Sequence, residues 1–136
     1  MRILGIDYGE ARTGTAVSDP MGWTAQGLST ISEKDPKKVA EAITKLASEY
    51  NAETIVIGLP KNMDGSEGFR TKATRDFAEI LKEMCAVPIV FWDERLSTVA
   101  ASRTLSETNV RGQKRKKVLD TVAATYILQG YLDKKI

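Results

Sequence analysis

Three carboxylates in this chain stand where surface charges are out of place: Asp7, Glu94 and Asp120. Asp7 ends the short apolar run R-I-L-G-I-D, and Glu94 follows the aromatic-rich P-I-V-F-W-D with no spacer. Counting by threes and fours, Asp120 shares a helical face with Ala123, Ala124, Ile127 and Tyr131. A charge on such an apolar face is costly unless a cation lies opposite. Each acid alone has an ordinary explanation as a turn, edge or first-turn residue among the 18 acids of the chain. Converging at one sheet edge, they do not. Two like charges about 4 Å apart repel by roughly 4 kcal/mol at an effective dielectric near 20, and a third adds to the repulsion. A divalent cation turns that into attraction, and Mg2+ and Mn2+ prefer oxygen ligands while keeping sites open for water and phosphate. Two such ions, about 3.5–4 Å apart, would activate a water and stabilise the leaving oxygen in phosphodiester cleavage.

Composition narrows the chemistry in the same direction. The chain has 136 residues and no histidine, which removes Ser-His-Asp and Cys-His catalysis, His-ligated zinc and the commonest base near neutral pH. Catalysis must then run on carboxylates, lysines, hydroxyls or an oxygen-ligated metal. The single cysteine, Cys85, forms no internal disulfide and reads as a small core hydrophobe, in keeping with a reducing compartment. No signal-peptide pattern and no apolar run of membrane-spanning length is present, so the expected location is the cytoplasm and no membrane partner is expected. The length and 42% hydrophobic content fit one globular domain over residues 1–136.

The elements that must position the acids follow from periodicity. Arg2 to Tyr8 and Thr13 to Ser18 read as two hairpin strands around a turn at Gly9, with Gly9 and Gly14 keeping the strand end uncrowded beside Asp7. Trp23 to Ile31 reads as a third strand. Asp35 caps a helix with Pro36 in its first turn, and Val39, Ala42, Ile43, Leu46 and Ala47 follow helical spacing. Thr54 to Leu59 is a continuous apolar run suited to burial on both sheet faces. A turn-rich loop, Pro60 to Gly68, leads to a second helix with Phe69, Ala73, Phe77, Ile80, Leu81 and Met84 as its apolar stripe. Pro88 to Trp92 is a fifth strand running into Asp93, Glu94 and Arg95. Ser97 or Thr98 caps a third helix to about Thr108, and a last helix runs from near Lys116 to about Asp133, with Asp120 in its first turn or so, where the helix dipole favours an acid. Hairpin strands pair antiparallel and helix-linked strands pair parallel. One mixed five-stranded sheet with helices on both faces results, an α/β fold of ribonuclease H-like topology.

Supporting residues surround this edge. Strand alternation turns Asp93 away from Glu94, which ranks it below the trio as a ligand. Arg95 either neutralises a phosphate or pairs with Asp93. Asn62, Ser66 and Lys72 either hold a nucleic-acid backbone or belong to a solvated loop and helix start. The net charge of +2 is too small to argue for a nucleic-acid partner, but Arg111, Lys114, Arg115, Lys116 and Lys117 crowd one acid-free loop. That run is either a phosphate-contacting patch or a solvated loop.

The blocks G-I-D-Y-G-E-A-R-T-G-T-A-V-S-D, I-V-I-G-L-P-K-N-M-D-G-S-E-G, W-D-E-R-L-S-T and K-K-V-L-D-T-V-A-A-T-Y-I-L-Q-G-Y-L resemble the YqgF (RuvX-type) family of ribonuclease H-like nucleases. The resemblance runs over nearly the whole chain. It implies a nuclease that matures the 5′ end of pre-16S ribosomal RNA, or, in an older reading, a resolvase of Holliday junctions. Carried over position by position, its metal-binding acids fall on Asp7, Glu94 and Asp120. Two readings of other classes compete with an endonuclease. An actin- or sugar-kinase-like ATPase shares the Asp-x-Gly hairpin but needs two such domains. A non-catalytic RNA- or ribosome-binding module would rely on the basic run instead. Pre-rRNA and branched DNA both remain candidate substrates, and a two-fold homodimer would suit the junction.

Overall fold

A computed structural model describes residues 2–96 and 112–135, with side chains over 2–96 and 121–134. Five strands, β1 (Arg2–Asp7), β2 (Thr13–Ser18), β3 (Ala25–Ile31), β4 (Ala52–Leu59) and β5 (Ile89–Asp93), form one sheet in the order β3-β2-β1-β4-β5. β1 pairs antiparallel with β2 and parallel with β4, and β4 pairs parallel with β5. This is the mixed, ribonuclease H-like arrangement expected, with β1 in the middle.

Alternation along β1 sorts its side chains between two cores. Leu4 and Ile6 join Ile55, Ile57, Val39, Ile43, Phe77 and Leu81 beneath helices α1 (Pro36–Glu49) and α2 (Phe69–Met84). Ile3 joins Ala16, Val56, Trp92 and the stripe Ala123, Ala124, Ile127, Leu128 and Leu132 of helix α3 (Gly112–Lys135). Asp7 is in phase with Ile3 and Gly5, so it belongs to the α3 face. α3 lies close on the sheet because the strand positions beneath it are small. A Cβ on Gly5 would sit 2.6 Å from Leu128 Cβ, and one on Gly27 would collide with Thr121.

Local chemistry explains most element ends. The Asp35 carboxylate accepts the Lys37 N–H at 3.0 Å, capping α1 with Pro36 in the first turn as expected. Asn51 turns left-handed (φ 50°) just past that helix, a conformation asparagine tolerates. β3 begins two residues later than expected because Asp19 gathers the N–H groups of Met21, Trp23 and Thr24 and extends the turn. The buried stripe of α2 is also rotated from the one expected. Thr71, Thr74, Phe77, Ala78 and Leu81 are buried, whereas Phe69 is 75% exposed and Met84 is exposed. Threonine fits that face because its hydroxyl bonds inward, Thr71 to the Pro60 carbonyl and Thr74 to the Arg70 carbonyl.

α3 starts at Gly112 rather than near Lys116. Lys114, Arg115, Lys116 and Lys117 therefore lie on a helix and not in a loop, consistent with the high helix propensity of Gln, Lys and Arg. The same shift puts Asp120 in the third turn, beyond the reach of the dipole argument. The expected helix over 97–108, and Arg111, fall outside the described residues.

Candidate active site at the carboxyl edge of the sheet

The register places one row of residues across the α3 face at the carboxyl end of β1. Asp7 pairs with Gly14 on β2, and Gly14 pairs with Thr30 on β3. On the other side the last registered pair is Ile6 with Ile57, so the next level joins Asp7 with Gly58, which pairs with Trp92 on β5. The row thus reads Thr30, Gly14, Asp7, Gly58, Trp92. Asp7 is buried, at 6% exposure, and both neighbours of its row are glycines with no side chain. β5 then ends at Asp93 and the chain tightens into a short 3-10 turn, Glu94–Leu96. This turn brings Glu94 back over the row, with Oε2 2.9 Å from where a Cβ on Gly58 would stand. Adjacent strands lie about 4.8 Å apart. The Glu94 carboxylate therefore sits one strand from Asp7 on the same face.

The third candidate acid, Asp120, lies on α3. Thr121 Oγ1 lies 3.1 Å from Thr30 Oγ1, at the end of the row, and Ile127 packs over Gly58. Asp120 precedes Thr121 by one residue and Ile127 by two turns, about 10.5 Å along the helix axis. That helix position belongs to the stretch of α3 crossing the Asp7 row; the Asp120 side chain lies outside the described residues. Among the described residues, no group of three or more His, Cys, Asp or Glu side chains forms a metal-holding cluster. The acids brought together there are Asp7 and Glu94.

The neighbouring candidates divide. Arg95 pairs with Asp93: Nε donates to both carboxylate oxygens at 3.1 Å and Nη2 to Oδ2 at 2.6 Å. This fork holds the Asp93 carboxyl below its usual range. Asp93 is in phase with Ile89 and Phe91 on the α2 face, away from Glu94, as alternation predicts. Asn62 and Ser66 are exposed and spend their side chains inside the loop. Asn62 Nδ2 donates to Ser66 Oγ at 2.9 Å, and Ser66 Oγ donates to Asp64 at 2.6 Å. Lys72 is exposed and pairs with Asp76 at 3.0 Å along α2. The side chains of Lys114, Arg115, Lys116 and Lys117, and all of Arg111, lie outside the described residues.

Two residues near the site escaped sequence reasoning. Gly58 sits within the apolar run T-I-V-I-G-L, and a glycine inside a strand marks close approach of another group; that signal was available. Arg70, at the start of α2, donates through Nη2 to the Tyr8 carbonyl at 2.8 Å and lies 3.7 Å from Glu10, bracing the loop just after Asp7. Nothing in sequence separates Arg70 from the other basic residues. Gly9, expected to keep the strand end open, has a different task. A Cβ there would strike the Arg12 carbonyl, so it permits the tight loop between β1 and β2.

Comparison with known proteins gives a consistent picture. The family described as "RuvX: Holliday junction resolvase" matches residues 1–134. A protein of Acetivibrio thermocellus named "Putative pre-16S rRNA nuclease" is 49% identical over 99% of this chain and 97% of its own length. One of the same name from Halothermothrix orenii is 52% identical over 98% of this chain and 95% of its own. Among solved structures, Thermus thermophilus RuvC in complex with a Holliday junction substrate superposes with a TM-score of 0.61 at 12% identity, covering 99% of this chain and 96% of that one. The fowlpox virus Holliday junction resolvase gives 0.56, also at 12% identity, over 98% and 99%. At such identities these structures establish the fold.

Proposed function

This chain belongs to the RuvX family of Holliday junction resolvases, and we propose that it is a metal-dependent endonuclease that trims the 5′ end of pre-16S ribosomal RNA in the cytoplasm. The observation that carries the reading is the convergence of Asp7 and Glu94 on one sheet face, over glycine positions of adjoining strands. The substrate follows from the name shared by relatives about half identical over nearly their whole length. Among the described residues no helix is long and apolar enough to cross a membrane.

The donor set fits a hard divalent ion. Two carboxylates one strand apart repel each other in a partly desolvated site, and oxygen ligands of this kind suit Mg2+ or Mn2+. Asp7, Glu94 and Asp120 would hold one ion or two. When bound, such ions supply an activated water and charge stabilisation at the leaving oxygen. The chain's own part is positional. Asp7 is fixed by its pairing with Gly14 on one side and by the parallel ladder that ends at its neighbour Ile6 on the other, and β1 cannot shift without disrupting the sheet. Ala123, Ala124, Ile127 and Leu128 close the same face against water. Gly14 and Gly58 add no side chain beside the reacting groups. With no histidine in the chain, the proton traffic falls to carboxylates, lysines, hydroxyls or solvent.

The decisive experiment compares wild type and Asp7→Asn, with Mn2+, on a pre-rRNA 5′ leader and a four-way DNA junction. Wild type is expected to cut the leader, and Asp7→Asn to keep the fold and lose the cut. Cleavage of the junction alone would reassign the substrate to branched DNA. Undiminished cleavage by Asp7→Asn would remove the carboxylates from the mechanism.

A further inference from the structure

The proposed acids leave one ordered charge pair beside them unexplained, and it brackets Glu94 in the chain. The Arg95 N–H donates to Asp93 Oδ1 at 3.0 Å, closing a turn around Glu94, while the guanidinium takes both oxygens of the same carboxylate. Nη1 donates to the Met63 carbonyl at 3.3 Å, reaching the loop over residues 60–68. That loop is shaped to receive it. Gly65 is left-handed (φ 89°), and a Cβ there would press on Nη1 at 3.2 Å. Most of the guanidinium's donors are therefore committed within the protein, and the fork that would grip a phosphate already grips Asp93.

We propose that the Asp93–Arg95 pair is a positioning clamp for Glu94, locking the turn after β5 against the 60–68 loop so that the carboxylate is held over Gly58. Arg95 is then not a phosphate contact. The physical need is plain: Glu94 lies beyond the last ladder bond of β5, where a glutamate on a free chain end would sample many positions. A misplacement of about 1 Å in a group acting on the reacting atoms can cost about a hundredfold in rate. What Glu94 does there rests on the nuclease reading above; how its turn is held does not.

The test uses Asp93→Asn and Arg95→Gln, singly and together, with Arg95→Lys as the conservative variant. In the metal-free proteins, hydrogen exchange at the amides of residues 94–96 and 63–65 should speed up by about tenfold in either single variant, and the double should add little, as for two members of one contact. With Mn2+ and the pre-rRNA leader, kcat should fall by about tenfold or more while KM stays within about twofold. Arg95→Lys should recover only part, since an ammonium cannot reproduce the fork. Unchanged exchange in both single variants would overturn the clamp. So would a raised KM and a salt slope flattened by about 0.7–0.9 in Arg95→Gln with Asp93→Asn unaffected, the pattern of a phosphate contact. Absence of cleavage by wild type would instead count against the nuclease reading, and the exchange measurement would still decide the clamp.

Discussion

Gly58 shows how much a single side-chain position controls in this site. It pairs with Trp92, stands level with Asp7, and receives both Ile127 and the Glu94 carboxylate where its own Cβ would be. Gly58→Ala should therefore push the carboxylate and Ile127 aside together. Overpacking of a closed site of this kind costs about 1–3 kcal/mol. Chemical denaturation should show that loss, and cleavage should fall by more than stability explains, because the displaced group is Glu94. A variant of unaltered stability and activity would mean that the carboxylate has room to move. Glu94 and Asp7 were legible in sequence as misplaced acids. Their shared neighbour Gly58 carries in sequence only the general signal of a glycine inside a strand, because what approaches it comes from other chain segments.

At the scale of elements, the turn between β2 and β3 offers a pH measurement away from the catalytic groups. Asp19 has its carboxyl held below the usual range chiefly by the Thr24 N–H; desolvation partly opposes this, and the N–H groups of Trp23 and Met21 add to the lowering. A carboxyl with a lowered folded-state value stabilises the turn above its unfolded value near 3.9 and loses that contribution as pH falls through the lowered value. The amides of Trp23 and Thr24 are thus expected to be protected at pH 6, relative to their intrinsic exchange rates, and to lose that protection ahead of the sheet as pH falls through the lowered value, as followed by NMR. Asp19→Asn should flatten that change. The element boundaries tell a related story. Asp35 and Pro36 wrote the start of α1 into the sequence, since a cap acts on its own helix. The face that α2 buries is only partly legible, because Thr71 and Thr74 look polar until the carbonyls that satisfy them are in place.

At the scale of the whole molecule, the site depends on α3 closing one face of the sheet. Leu128 is fully buried and lies against Gly5, two residues from Asp7 on the same strand. Leu128→Ala should cost about 2–5 kcal/mol, the range for a buried leucine whose site cannot collapse fully. A fall in the denaturation midpoint at unchanged slope would report it. Activity should drop along with stability, because the same helix carries Asp120. By contrast, truncating the exposed Trp23 should leave both nearly unchanged.

The sequence by itself determined the element order, the mixed sheet and the two-sided burial of β4, and it singled out three acids whose residue type suits a hard cation. Those follow from periodicity and residue type, which act over a few residues at a time. Tertiary structure decided how the sheet edge is arranged. It set Asp7 between two glycines, folded Glu94 back over one of them, and committed Arg95 to Asp93 and the Met63 carbonyl. It also began α3 early enough to move Asp120 out of the first turn. The reason is physical. Register and crossing direction place side chains from distant segments within a few ångströms, and whether an arginine meets a carboxylate or a phosphate depends on which one packing puts there.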